Sequence, residues 1–537
     1  MKFKRITIRF LSGIILALTN LASFDLSAQT TQPILTQSML YERTHKDSDR
    51  SFLVISMGDK GLALIRDTEK FEGNKKSWEV IFLDSVLNES WTIKFEIDQR
   101  MNILGHDYRD GNIYLIFEEP ENVGRQINLT ELILTERIVK QHKFKPDVAI
   151  RYTHFSVLKN KAVFGGYVAK EPTLLMYDLT SEATRVIPGA FRMREELMDV
   201  RNNSNDTFNA LLVERDSKSI KKLIVRTYDS NGVLLVDDVI TIDEDKTIIE
   251  AISSALVHDE LIVIGTWTYG GSNQAAGIFS VMVDPFSEQK VNYYDFAEFN
   301  HFLDYLKPKR AAKVKAKAEW RRSVDKPPEF RAHFYPIKIE ESKDGFSLLG
   351  EVYDPPTSNS LRSSPYYNPY GYSPYGSSPY GYSPYGYSPY RYNSPYGYPY
   401  STNSSINDTR MIHSSLIFFD DHGKLVSDQS LKFPEIKLAS KEQVSDFITL
   451  GKRTIMVCKQ EKEVVAQINE SDGTVIQTEK MLPALKSQNE TAKSDSDEGA
   501  IRYWYGQYFY LYGYHRVKDN AEKDTRNVFY INKIKVN

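Results

Sequence analysis

KKLIVRTYDSNGVLLVDDVITI, Lys221–Ile242, is the stretch whose reading decides the fold. In its first half Leu223, Val225 and Thr227 alternate with Ile224, Arg226 and Tyr228. A period of two places successive side chains on opposite faces of a strand. Asp229-Ser230-Asn231-Gly232 then interrupts, and the apolar run Val233–Val236 follows at once. A cluster of Asp, Ser, Asn and Gly between two such runs supplies the backbone geometry of a tight turn. The stretch is a β-hairpin. Weaker copies of it recur along the whole chain, and that repetition carries the reading outward.

One apolar strand of each unit can be numbered at its middle: Leu64, Leu115, Phe164, Leu212, Val263, Leu349, Met456 and Tyr510. The first four gaps are 51, 49, 48 and 51 residues and the last is 54. The gaps of 86 and 107 residues each contain a foreign segment. A second mark follows most of these positions, where the next strand runs into Asp84, Asp178, Asp229, Asp284, Asp420 or Asn469. Roughly 40 to 50 residues is what four short strands need, the length of one propeller blade. Helical solenoids fit badly, because helical periodicity is nearly absent and the units are rich in Val, Ile, Tyr and Phe.

In repeat length and strand pattern the chain resembles the β-propeller superfamily. The Gly-His and Trp-Asp marks of WD40 blades, kelch motifs and Ca²⁺-binding nonapeptides do not repeat, so the resemblance implies a shape and gives no residue a role. The expected fold is all-β: a propeller of eight four-stranded blades, or of seven if a terminal unit is only a closing fragment. The blades fall at about 50–98, 100–145, 150–190, 193–245, 247–296, 330–430, 440–482 and 498–537, within a ring of residues 50–537 preceded by a lead-in at 29–49. Closure is required physically, since an open stack leaves strand edges and apolar blade faces in water.

Before the ring, Lys2, Lys4, Arg5 and Arg9 flank an apolar run at Leu11–Leu18, and small residues lead to Leu26-Ser27-Ala28. That order reads as a signal peptide, residues 1–28, cleaved to leave Gln29 first. The run falls short of the roughly 20 residues that span a bilayer, and no later segment comes near it. Cys458 is the only cysteine, so no internal disulfide exists and an inert buried thiol is expected in its apolar strand. Export without disulfides leans towards a bacterial periplasm, outer surface or medium. Removing four basic residues and Asp25 takes the net charge from −3 to −6, which gives no overall pull towards nucleic acid.

Two segments interrupt the rhythm. At 299–328, Leu303–Leu306 and Ala311–Trp320 read as helix with Pro308 near a start. Lys307, Lys309, Arg310, Lys313, Lys315, Lys317, Arg321 and Arg322 make this insertion basic, and Glu319 is the only acid between Tyr305 and Asp325. Lys313, Lys317, Arg321 and Arg322 are candidate contacts for an anionic surface, against the plainer reading of a solvated linker. At 357–409, Pro-Tyr occurs eight times among Gly and Ser, with few aliphatic residues to build a core. This Tyr/Pro/Gly-rich segment is expected to be a disordered loop within the sixth blade.

No local motif for catalysis, phosphate loops, dinucleotides or metals is present, and the ten histidines are scattered. No catalytic residue, metal ligand or cofactor is therefore assigned. Carboxylates two apart at Asp47/Asp49, Asp243/Asp245 and Asp495/Asp497 lack the later ligands of a Ca²⁺ loop. Aromatic residues are the better candidates: Trp267 and Tyr269 ahead of Gly270-Gly271, and Trp504 beside the Tyr508–Tyr514 strip. Such rings stack on sugars or fill layers between blades. The leading expectation is a non-catalytic envelope scaffold binding a protein or glycan. The alternatives are a polysaccharide- or peptide-acting enzyme with a central-channel site, and an adhesion or matrix protein self-associating through the Tyr-rich loop.

Overall fold

The computed structural model describes residues 32–46, 49–119, 126–187, 195–216, 219–256, 261–270, 272–284, 286, 289–355, 409–438, 441–521 and 524–537. The signal-peptide segment 1–28 and all but the last residue of the 357–409 segment lie outside them. The first strand is β1 (Leu35–Thr44). Blade 1 follows as β2–β5 (Leu53–Ser56, Leu62–Glu72, Lys75–Leu83, Glu89–Asp98), and blade 2 as β6–β9 (Asn102–Arg109, Asn112–Glu118, Ile127–Ile133, Ile138–Phe144). Blade 3 is β10–β13 (Arg151–Leu158, Lys161–Val168, Glu171–Asp178, Thr184–Val186), and blade 4 is β14–β17 (Glu195–Asn202, Thr207–Asp216, Ser219–Asp229, Leu234–Thr241). Blade 5 is β18–β21 (Lys246–Ser253, Ile262–Tyr269, Gly277–Met282, Asn292–Asp295), after which comes the helix α1 (Pro308–Ser323). Blade 6 is β22–β25 (Phe334–Ser342, Gly345–Asp354, Thr409–Phe419, Leu425–Leu438), and blade 7 is β26–β29 (Ser445–Leu450, Arg453–Gln460, Glu463–Asn469, Val475–Met481). Blade 8 has β30–β32 (Glu490–Tyr505, Tyr508–Asp519, Thr525–Val536), with β1 as its fourth strand.

The chain is thus an eight-bladed, all-antiparallel β-propeller, as the spacing predicts. The lead-in assigned to 29–49 is corrected in one respect. Leu35–Thr44 is the outer strand of blade 8, paired along β32 from Leu35↔Val536 to Thr44↔Val528. The two chain ends thereby lock the ring. Apolar clusters seal the joints, and one of them joins Tyr510, Tyr514 and Phe529 of blade 8 to Leu62, Leu64 and Ile81 of blade 1. The Tyr508–Tyr514 strip is therefore mostly interblade packing.

The eight numbered apolar positions all fall in second strands, which have blade on both sides and neighbours above and below. Leu62, Ala63, Leu64 and Ile65 are fully buried, which is why these strands read as continuous apolar runs. The second mark also has a local cause. Asp229 Oδ1 accepts from the N–H groups of Asn231 and Val233, both at 2.8 Å, and Gly232 supplies φ +71°. Asp420 does the same for His422 and Lys424, and Asp84 for Val86 and Asn88. Each aspartate closes the turn between third and fourth strands.

The helix begins with Pro308 at its first turn, where a missing N–H costs nothing. Leu303–Leu306 is turn rather than helix, because Phe296, Phe299, Phe302 and Leu303 are drawn into the core between blades 5 and 6. Phe296 and Phe302 stack at 4.1 Å. Alternating strand direction puts the entry to each first strand and the exit of each second strand on the same face of the ring. That face carries α1 between blades 5 and 6, and also the points at Asp354 and Thr409 where the Tyr-rich segment leaves and rejoins blade 6.

Candidate binding face

First strands of neighbouring blades touch one another, β6 with β10, β10 with β14, β14 with β18, β18 with β22 and β26 with β30, so they line the axis. Carboxylates sit on or beside them, where a channel enzyme would keep its acids. Here they are used as latches between blades. Asp107 of β6 accepts from the Val157 N–H of β10 at 2.8 Å. Asp199 of β14 accepts from the N–H and hydroxyl of Ser253 in β18, both at 3.1 Å. Asp446 of β26 accepts from the Tyr503 N–H of β30 at 2.9 Å and pairs with Lys338 of β22 at 2.7 Å. Glu351 of β23 takes the N–H groups of Val444 and Ser445, each at 3.0 Å, and both the Ser445 and Ser414 hydroxyls.

Burial dominates the electrostatics of this layer. It pushes the Asp107 carboxyl up to about 6 and the Glu351 carboxyl up to about 7, although the backbone N–H groups oppose it. It drives His413, stacked on Tyr305 at 4.9 Å, down to about 3. It pushes the Cys458 thiol up to about 12, in keeping with an inert buried thiol. Among the described residues no three of His, Cys, Asp and Glu converge as a metal ion would require.

Of the two roles expected for the aromatic candidates, the structure places Trp267 and Trp504 in packing rather than on an open stacking surface. Trp267 is buried, with its indole N–H donating to the Ile278 carbonyl at 3.0 Å. Half-buried Tyr269 and Tyr293 meet it edge-on, and the Lys246 ammonium lies 5.8, 5.9 and 4.7 Å from the Trp267, Tyr269 and Tyr293 rings. Burial alone would lower the Lys246 pKa. Hydrogen bonds to Asp243 and Asp245 outweigh it and hold the ammonium above the usual lysine range. Trp504 is buried too, with Lys533 at 5.5 Å from it and at 4.0 Å from Tyr508. A third cage, Tyr335 and Tyr353 around Lys441, is tied to Glu250 at 3.2 Å. All three cages are filled by the chain's own lysines, so Trp267 and Trp504 have no ring face to offer a sugar. Composition cannot reveal this, since cage and lysine lie on different strands.

The acidic pairs are also accounted for where they can be seen. Asp243 and Asp245 hold Lys246, and Asp49 pairs with Arg66 at 3.3 Å. Asp47 and the side chains of Asp495 and Asp497 lie outside what is described.

The basic insertion divides into two halves. Ala311, Val314 and Ala318 turn one stripe of α1 onto the core. In the C-terminal half, Lys317 and Arg321 both pair with Glu329, Arg322 lies 3.4 Å from Glu298, and Lys326 caps the exposed Trp320. Three of the four predicted contacts are thus tied internally. Exposed Lys313 is not, and it is joined by Lys307, Lys309 and Arg310, exposed and without an ion pair among the described residues. The first turn holds no acidic residue, so this charge adds to the positive helix end instead of being offset. The sequence marks the run as basic, but only the fold separates its free half from its paired half.

No protein-family model matches the chain, and no curated protein matches it. Solved structures do. A dihydro-haem d1 dehydrogenase in complex with its ligand shares 10% identity, with 93% of this chain and 78% of that one covered and a TM-score of 0.37. A polysaccharide lyase shares 8%, with 91% and 100% covered and a TM-score of 0.37. The propeller domain of the trilobed protease of Pyrococcus furiosus shares 7%, with 80% and 93% covered and a TM-score of 0.33. At these identities and TM-scores the likenesses give this chain no role; its own strand pairing makes it an eight-bladed β-propeller.

Proposed function

We propose that this protein is an exported, non-catalytic propeller that holds an anionic envelope glycan against the face carrying α1. The observation that carries the reading is the cluster of Lys307, Lys309, Arg310 and Lys313, without an ion pair among the described residues, on a chain of net negative charge. Uncompensated cations at a positive helix end attract polyanions, and do so less as salt rises. The non-catalytic part is supported by Asp107, Asp199, Glu351 and Asp446, each of which spends at least one carboxylate oxygen on a backbone N–H of the next blade. Export rests on the basic and apolar order of residues 1–28.

Binding to immobilised heparin, used as a polyanion probe, tests this at two salt concentrations. Wild type is expected to be retained at low salt and released by salt in the range of a few hundred millimolar. Replacing Lys309, Arg310 and Lys313 by Ala should weaken binding about tenfold or more at low salt, at about 0.5 kcal/mol or more for each partly screened contact. Equal retention of the triple variant, or none by wild type, overturns the reading.

A further inference from the structure

Each blade ends in an outer strand whose far edge offers unpaired N–H and C=O groups, and seven of the eight blunt that edge in a recognisable way. β13 and β21 have three and four residues. β5, β9, β25 and β29 carry lysines, β25 also has Pro434, and β1 has Arg43. Short length, proline and charged side chains, lysine above all, are how sheets avoid unwanted pairing, and an acidic edge turns away acidic strands without turning away basic ones. β17 has eight residues, LLVDDVIT, with no lysine, arginine or proline.

Much apolar surface along it and just before it is in water, although Ile240 is buried. Val233, Leu235 and Val239 are 53%, 54% and 53% exposed, and Leu234 is 44% exposed. Ile242 donates to the Lys221 carbonyl on β16, so by alternation residues 237, 239 and 241 turn their N–H and C=O groups away from the sheet. The patch continues onto blade 3, where exposed Val186 precedes Ile187, the residue against which Gly232 packs. In its middle stand Asp237, paired with Arg226 at 3.0 Å, and Asp238, whose carboxyl burial raises above the usual range, with Asp237 and Asp284 adding to the rise. Arg226 is itself shared with Glu195, and Arg185 donates to the Gly232 carbonyl, so three carboxylates against two guanidinium groups leave the site acidic by one charge.

We propose that β17 is a strand-addition site for an extended segment of a partner polypeptide in which apolar residues alternate with lysine or arginine. Main-chain bonds to residues 237, 239 and 241 supply the pairing, the exposed aliphatic side chains supply burial, and the aspartates select a basic strand. A second copy of this chain fits poorly, because pairing β17 with itself brings four aspartates together. The proposal is independent of the glycan reading, since β17 is on the ring's outer edge in blade 4 and α1 lies between blades 5 and 6.

The test uses a fluorescein-labelled decapeptide of alternating valine and lysine, followed by anisotropy with the full mature chain, and a valine–glutamate peptide as control. The lysine peptide is expected to bind and the glutamate peptide to bind at least tenfold more weakly. Val239→Pro removes an N–H that β16 does not use, together with the exposed valine side chain, and should cut binding at least tenfold with the unfolding midpoint little changed. Leu235→Ser with Val239→Thr, which keeps the backbone donors, should weaken binding by a smaller factor. Equal binding of the two peptides, or unaltered binding by a Val239→Pro variant shown to be folded, overturns the proposal. So does a concentration-dependent dimer, seen by sedimentation and abolished by Val239→Pro, because the edge would then belong to a second copy.

Discussion

Glu351 concentrates the residue-scale argument. It is fully buried, holds blade 7 to blade 6 through Val444 and Ser445, and has a folded pKa near 7 against an ordinary value of 4.5. Its folded form holds the proton longer than the unfolded chain does, so the stability it contributes below pH 4.5 is lost as pH rises through about 7. His413 has the opposite sign. Its folded value near 3 lies below the ordinary 6.5, so the stability present above 6.5 is lost as pH falls towards 3. Urea unfolding followed from pH 4 to 8 should show Glu351→Gln removing the decline towards neutrality, and His413→Phe, which keeps the stack on Tyr305, removing part of the decline towards acid. A Glu351→Ala variant should lose about 3 kcal/mol or more, since several buried donors lose their acceptor. Neither role was legible beforehand. Glu351 sits in an ordinary strand, and its partners lie 63 to 94 residues further on.

At the scale of elements, β1 shows how far a local reading reaches. Its ten residues, LTQSMLYERT, alternate weakly and precede a polar stretch, so they look like a lead-in. Their partner β32 lies at the other end of the chain, and only that pairing makes them a strand. A variant beginning at His45 withdraws Ile34, Leu35 and Tyr41 from the core, at about 1.5–3 kcal/mol for each apolar side chain. Hydrogen exchange should then show lost protection along β32 and a lower unfolding midpoint. Unchanged protection there would mean that the strand does not close the ring. The helix was partly legible, since Pro308 and the basic run mark it, whereas the Phe296–Phe302 anchor that ends it at the core depends on blades 5 and 6 meeting.

At the scale of the whole molecule, a closed ring couples joints that a linear stack would leave independent. Phe296→Ala, between blades 5 and 6, should cost about 3–5 kcal/mol. In a closed ring that loss should appear as lower protection against hydrogen exchange in β7 and β11 as well as beside the substitution. Loss confined to blades 5 and 6 would show that the blades unfold singly. The period-two patterning, the spacing near fifty residues and the turn aspartates determined the blades and narrowed their number to seven or eight, because each is a property of residues close together in the chain. Which strand closes the last blade, which lysines fill the aromatic cages and which basic residues stay free were decided by the tertiary structure. Those contacts join residues from different strands and blades, and their chemistry exists only once the ring has brought them within a few ångströms.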